Sequence, residues 1–153
     1  MEVSIKLKWK EALKFNVEVA DGRALELNSA QEMGRAFTPM ELFLFALVGC
    51  TAMDVAWILE RQRQHIHNLE ISVRGTRRED DPKYYEAIDL DYRIQGEQIR
   101  KEAVERAIRL SQDKYCSVRA MIKDKVKLKI SFKIVDAAGK EEVFNYVTSP
   151  TAT

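Results

Sequence analysis

Residues 38–59 read TPMELFLFALVGCTAMDVAWIL, and the run from Leu42 to Met53 is apolar or small on every side of a helix. The stretch opens with Thr38, Pro39 and Glu41, which match the N-cap, the first-turn proline and the third position of a capping box. These features predict a buried central helix over residues 40 to 65. The apolar run is only about a dozen residues long against the roughly 20 that span a bilayer, so a core helix is favoured over a membrane span.

Alternating apolar residues predict strands on both sides of this helix. Before it, three short alternating segments separated by turn signals predict an antiparallel meander. After it, the pattern predicts two strands forming a hairpin, an amphipathic helix, a short helical turn and a further strand. These segments are residues 69–73 and 88–94 for the hairpin, 99–112 for the helix, 117–122 for the turn and 126–134 for the strand. Val143 and Tyr146 indicate an additional edge strand.

Length and charge indicate one globular domain over residues 1–153, with a frayed tail at residues 148–153. The 25 basic and 24 acidic residues give a net charge of +1 at pH 7, which disfavours nucleic acid and an anionic membrane as partners. The first ten residues lack the apolar segment of a secretory signal. A cytoplasmic location is therefore expected, where the two cysteines stay reduced.

The central helix also predicts an assembly. A helix that is apolar on all sides needs more cover than one sheet and one amphipathic helix supply. A second copy of the chain is the simplest cover. We therefore expect a two-fold homodimer with the central helix at or near the interface.

The two cysteines are candidate reactive groups. Cys50 lies in mid-helix beside Gly49 and Ala52, whose small size lets a substrate approach the sulfur, although a free cysteine there is more often a small core residue. Cys116 lies at a break between helices, with Ser117 as a candidate N-cap. A thiol beside a helix N-terminus has its thiolate favoured by the helix dipole.

Two segments centred on these cysteines resemble the OsmC/Ohr family of osmotically inducible proteins and organic hydroperoxide resistance proteins. They are TPMELF at residues 38–43 with GCTAMDV at residues 49–55, and LSQDKYCSV at residues 110–118. The resemblance implies an α+β fold with antiparallel sheets and two long central helices, assembled as an intertwined homodimer. It also implies a thiol peroxidase site at the dimer interface.

By the same resemblance, Cys50 is the peroxidatic cysteine and Cys116 the resolving one. The Cys50 thiolate would attack the O–O bond of a hydroperoxide, become a sulfenic acid and condense with Cys116 to a disulfide. A small-molecule hydroperoxide is then the substrate and an external dithiol the reductant. No cofactor is expected.

The resemblance further implies an arginine and a glutamate that lower the pKa of the reactive thiol and hold the substrate. Glu41 is the candidate acid, but Met40 separates it from the proline that the glutamate follows directly in the family pattern, and a capping-box role is equally favoured. Arg35 is the preferred catalytic arginine, because it is close in sequence to the start of the Cys50 helix. Arg23 is the alternative and is assigned to substrate binding. Either arginine is also readily explained as a loop residue. This departure resembles the less characterised branch of the family. The alternative function is a small-molecule-binding module on the same scaffold without efficient peroxidase turnover.

Two other features were considered as sites. His65 and His67 have no acid or cysteine spaced to complete a zinc site, so a surface pair at the helix end is favoured and no metal is expected. Asp54 lies four residues after Cys50, on the same helix face. It is a candidate hydrogen-bond acceptor near the thiol, although a buried cap or an interface contact is the preferred role.

Overall fold

The computed structural model describes residues 2–29, 34 and 36–146 of the chain. Arg35 and the expected tail at residues 148–153 lie outside the described residues. The chain divides into two compact units, Met1–Phe45 and Ala46–Thr153.

The first unit contains a three-stranded antiparallel sheet of β1 (Ile5–Glu11), β2 (Lys14–Val19) and β3 (Ala24–Leu27), in that order. The predicted meander is therefore confirmed. The turn between β2 and β3 holds Gly22 at a φ of +87°, a conformation that glycine adopts without the penalty of a side chain.

One face of this sheet is apolar along all three strands. The register places Leu7 opposite Val17, and Val17 opposite Leu25. On β1 the apolar side chains stay exposed, including Ile5 and Trp9, and Trp9 is 67% exposed. Trp9 is therefore not a core residue of the single chain.

Helix α1 comprises Pro39–Arg61 and confirms the predicted central helix. Its start is the predicted capping box, because the Glu41 N–H donates to Thr38 Oγ1 at 3.2 Å and the Thr38 N–H donates to Glu41 Oε2 at 2.7 Å. The helix ends before residue 65, since Arg63 adopts a φ of +57°. The Arg63 N–H then bonds to the Glu60 carbonyl, and the next N–H bonds back to residue 59, which is a Schellman ending.

The argument from length against a membrane span does not hold for α1, because the whole helix is longer than its apolar run. The helix runs on past the apolar segment to 23 residues, with a mean hydropathy of 2.1 in an 18-residue window, and is long and apolar enough to cross a bilayer by length and composition alone. Only 28% of that window is buried. The burial is confined to one stripe rather than all sides, formed by Leu47, Thr51, Val55, Ile58 and Leu59. The opposite side of the helix is therefore uncovered within one chain.

The second unit contains a four-stranded sheet in the order β4-β5-β6-β7. Its strands are β4 (His65–Arg77), β5 (Tyr85–Glu97), β6 (Lys127–Val135) and β7 (Glu141–Tyr146). The β4–β5 hairpin and the edge strand β7 are confirmed. The sheet is mixed rather than wholly antiparallel, because β5 and β6 pair in parallel after a helical crossover that returns the chain to the same end of the sheet.

That crossover contains α2 (Lys101–Leu110), one π-helical turn (Ser111–Tyr115) and α3 (Ser117–Ile122). The Cys116 N–H closes the π-turn on the Ser111 carbonyl at 2.8 Å. Both predicted helical segments are confirmed, and the helices and sheets together make an α+β protein. Single π-turns of this kind are frequent at functional sites.

Candidate active site

The second unit brings Cys50 and Cys116 together with Asp54. Their two sulfur atoms and a carboxylate oxygen all lie within 4.8 Å of one another. Cys50 and Asp54 are one helical turn apart on α1, whereas Cys116 follows the π-turn. Both cysteines are free thiols. The two thiols are therefore neighbours in the folded chain, as a resolving step requires.

Cys116 itself is the N-cap of α3, so Ser117 is the first helical residue and not the cap. The Cys116 sulfur accepts a hydrogen bond from the Arg119 N–H at 3.4 Å, which favours the thiolate. Burial opposes this effect, because the residue is only 3% exposed, and raises the pKa of the Cys116 thiol to about 11. The neighbouring Cys50 contributes to this rise. The expected stabilisation of a Cys116 thiolate is therefore outweighed, and Cys116 is a neutral thiol at pH 7.

Asp54 is oriented by a chain of buried hydroxyl groups. Ser111 Oγ donates to Asp54 Oδ2 at 2.9 Å, and Thr51 Oγ1 lies 3.0 Å from Ser111 Oγ and 2.6 Å from the Tyr92 hydroxyl. Gln112 Nε2 donates to Thr51 Oγ1 at 3.1 Å. Asp54 thus takes the less favoured of its two expected roles, that of an acceptor beside the thiols.

Each hydroxyl group in this hydrogen-bonded chain has one hydrogen to donate, and this fixes which group donates to which. The Ser111 hydroxyl hydrogen points to Asp54, so Thr51 donates to Ser111 and Tyr92 donates to Thr51. Burial raises the pKa of the Tyr92 phenol above its ordinary value, which keeps it a donor. The carboxylate therefore has one oxygen fixed by Ser111, with a second oxygen available to the thiol pair.

Thr51 is the centre of this network, and its replacement by valine tests it. Valine has nearly the same shape but leaves the buried hydroxyls of Ser111 and Tyr92 without this partner, so we expect the free energy of unfolding to fall by about 1–3 kcal/mol. Denaturant unfolding measures the change. Thr76→Val, on the exposed side of β4, is the matched control and should stay within about 0.5 kcal/mol of the wild type. Equal effects of the two substitutions would show that the network adds no stability.

The supporting residues implied by the resemblance lie in the first unit. The Glu41 carboxylate accepts hydrogen bonds from the Thr38 N–H and hydroxyl, and the N–H contact is the main reason why the pKa of Glu41 is lowered. The exposed Arg23 is ion-paired with Asp21 at 2.7 Å. Arg35 lies outside the described residues. The capping role of Glu41 is thus observed, whereas the catalytic roles of Glu41 and Arg35 and the substrate-binding role of Arg23 remain predictions.

Sequence analysis missed a cation beside the thiols. Arg119 is half-buried, and its charge interacts with Cys116. Its Nη1 atom is buried and has no hydrogen-bond partner among the described residues. Arg119 was not predicted, because the arginine implied by the family resemblance was assigned to the segment before the Cys50 helix. The spacing Cys116-x-x-Arg119 at a helix start is the signal that points to it.

Comparison with known proteins agrees with this fold and site. The family described as OsmC-like protein matches residues 31–131. Protein YhfA of Escherichia coli is 36% identical over 132 residues, which span 86% of this chain and 98% of YhfA. A hypothetical protein from Aquifex aeolicus has a structure with a TM-score of 0.80 and 32% identity, covering 89% of this chain and 98% of its own.

A more distant structure shares the fold alone. It is the organic hydroperoxide resistance protein OsmC from Legionella pneumophila, with a TM-score of 0.69, 18% identity and coverage of 86% of this chain and 96% of its own. The fold and the family match together define an α+β protein of the OsmC type. This chain belongs to the OsmC-like family, and the resemblance of the two cysteine segments is confirmed.

Proposed function

We propose that this protein is a thiol-dependent peroxidase that reduces organic hydroperoxides, with Cys50 as the peroxidatic and Cys116 as the resolving cysteine. The observation that supports it is the pair of free thiols within 4.8 Å of each other. The Legionella relative, whose name describes resistance to organic hydroperoxides, supports the substrate class.

The difference in burial between the two thiols supports the assignment of roles. Cys50 is half-buried, whereas Cys116 is buried, so a substrate reaches Cys50 first. The Cys50 thiolate attacks the O–O bond, which breaks to give a Cys50 sulfenic acid and an alkoxide that takes up a proton to become the alcohol. A resolving cysteine needs no contact with the substrate.

The second step consumes the proton that Cys116 retains at pH 7. The Cys116 sulfur attacks the sulfenic sulfur, the S–O bond breaks, and the hydroxyl group leaves with that proton as water. The product is a Cys50–Cys116 disulfide. An external dithiol then supplies two electrons and two protons, and is itself oxidised to a disulfide.

Arg119 is the proposed cation of this site, because its charge interacts with Cys116. Arg35 and Glu41 are retained as the catalytic arginine and glutamate implied by the family resemblance, and Arg23 as a proposed substrate-binding residue.

A turnover assay tests the proposal. Purified protein is mixed with cumene hydroperoxide and dithiothreitol, and the loss of hydroperoxide is followed at pH 7. We expect many turnovers per chain at a rate proportional to the protein concentration. A rate equal to that of dithiothreitol alone would overturn the peroxidase proposal.

The second candidate function is a small-molecule-binding module, and two observations favour it. The Glu41 carboxylate is engaged by Thr38 in the capping box. A cleft of about 360 Å³ in the second unit is lined in part by Trp57 and Tyr115, whose rings meet edge to face. This module predicts binding of an apolar ligand with no turnover in the same assay.

We also propose a two-fold homodimer located in the cytoplasm, where cellular dithiols keep both cysteines reduced. Two exposed apolar surfaces support the dimer. One is the β1 face that carries Trp9, and the other is the outer side of α1, where Met53 is 76% and Trp57 is 47% exposed. Apolar surfaces of this kind on a single chain commonly mark an interface.

Met53→Asp should dissociate this dimer without unfolding the chain, since the side chain is exposed in the single chain but would be desolvated against a partner. Sedimentation equilibrium should show at least about a hundredfold weaker association, about 2.7 kcal/mol. Met121→Asp on α3 is a control of equal exposure, 76%, and should leave the mass unchanged. A wild-type monomer at micromolar concentration would contradict the dimer.

A further inference from the structure

The cluster of Cys50, Asp54 and Cys116 adds to the two thiols a carboxylate that no step of the proposed peroxidase reaction uses. Two sulfurs and one carboxylate oxygen converge within 4.8 Å of one another. Thiolates and carboxylates are both zinc ligands, and a tetrahedral ion with bonds of about 2.0–2.3 Å needs its ligand atoms about 3.5–3.8 Å apart. Side-chain shifts of about 1 Å therefore close the cluster around an ion.

We propose that the reduced cluster of Cys50, Asp54 and Cys116 binds one divalent zinc ion through two thiolates and one carboxylate. Binding breaks the two S–H bonds, releases two protons to solvent and forms two Zn–S bonds and one Zn–O bond, with no change of oxidation state. Three protein ligands leave the fourth position to water or to an exchangeable ligand.

The surroundings orient two of the three ligands before the ion arrives. Ser111 holds one oxygen of Asp54 through the chain that begins at Tyr92, as outer hydrogen bonds orient metal ligands. The Arg119 N–H holds the Cys116 sulfur at the start of α3. Cys50 and Asp54 share one face of a helix. Little conformational freedom is therefore lost when the ion binds.

The charge of the site also suits a divalent ion. Two thiolates and a carboxylate carry three negative charges, so the binding of one zinc ion leaves the site with a single negative charge. The Arg119 guanidinium, which interacts with Cys116 and has a buried nitrogen without a hydrogen-bond partner among the described residues, offsets that charge.

No metal was predicted from the sequence, in which His65 and His67 are the candidate ligand pair. His65 and His67 are in fact exposed at the start of β4 and not at the end of a helix, with His67 Nε2 3.5 Å from a Glu97 carboxylate oxygen. This exposed pair is the competing zinc ligand on the surface, and it supplies a control for the experiment.

Zinc binding does not depend on the peroxidase activity. In a protein that both binds zinc and reduces hydroperoxides, the Zn–S bond occupies the sulfur electron pair with which Cys50 attacks a hydroperoxide. Zinc and hydroperoxide therefore compete for the reduced cluster.

The experiment titrates reduced, metal-free protein with zinc chloride against a chromophoric chelator, in the absence of peroxide. We expect one zinc ion per chain, with affinity lowered by about a hundredfold in Cys50→Ser and by about tenfold in Asp54→Asn. His67→Gln should bind zinc as the wild type does. Wild-type affinity in Cys50→Ser, or loss of binding in His67→Gln alone, would overturn the site.

Cobalt substitution of the wild-type protein guards against variants that fail to fold. Cobalt bound by thiolates gives a sulfur-to-metal charge-transfer band in the near ultraviolet, and we expect that band to grow until one equivalent is bound. Its absence would overturn the proposal without any variant. Because peroxide is absent from both measurements, failure of the zinc site and failure of the peroxidase are separate results.

Discussion

Replacing Cys50 by serine is expected to slow hydroperoxide consumption by at least about a thousandfold, equivalent to about 4 kcal/mol of transition-state stabilisation. The serine hydroxyl is nearly isosteric with the thiol but is a much weaker nucleophile toward an O–O bond. Cys116 does not replace it, because Cys116 is buried and its pKa of about 11 keeps it a neutral thiol. The decay of cumene hydroperoxide in the presence of dithiothreitol measures the loss.

Cys116→Ser is the matched control. It should retain the first turnover at a rate close to that of the wild type and stop at a Cys50 sulfenic acid, detectable with a dimedone probe. If Cys116→Ser loses the first turnover and Cys50→Ser keeps it, the two assigned roles are reversed. If both variants turn over like the wild type, neither thiol is the nucleophile.

The second large effect concerns stability, where Leu47→Asp is expected to abolish cooperative folding. Leu47 is fully buried on the covered stripe of α1. Its removal alone leaves a cavity worth about 2–5 kcal/mol, and an unpaired buried carboxyl adds a further penalty. Since proteins of this size are stable by only about 5–15 kcal/mol, urea unfolding followed by circular dichroism should show little or no native baseline.

Two control substitutions show whether the effect of Leu47→Asp comes from burying a carboxyl group or from the added charge alone. Met121→Asp, on the exposed side of α3, should stay within about 0.5 kcal/mol of the wild type. Leu47→Met preserves volume and should lose less than about 1.5 kcal/mol. A Leu47→Asp protein that unfolds like the wild type would mean that α1 is not packed as described.

Much of the fold could be predicted because the hydrophobic periods of its strands and helices are clear. The parallel pairing of β5 with β6 could not, since a period of two identifies strands but not their partners or directions. The end of α1 was also missed. The left-handed position that ends a helix is usually occupied by glycine, but here it is occupied by Arg63.

The predictable part of the site was the pair of cysteines, because two short segments carry the family resemblance. Ser111, Thr51 and Tyr92 gave no such signal, as a hydroxyl or phenol in a buried pattern has no spacing that reveals its partner. The pKa of Cys116 was misjudged for a similar reason. Its position at a helix start is visible in the sequence, but the burial that outweighs the dipole exists only in the folded chain.

The most direct test treats the fully reduced wild-type protein with one equivalent of cumene hydroperoxide at pH 7. This reaction examines both thiols at once. Free thiols are counted, and the peptides are mapped by mass spectrometry without reduction. The proposed chemistry predicts that both thiols disappear and that the peptides of Cys50 and Cys116 are joined by a disulfide within one chain. Survival of both wild-type thiols for as long as the remaining thiol of Cys50→Ser would contradict the peroxidase and leave the binding module as the function.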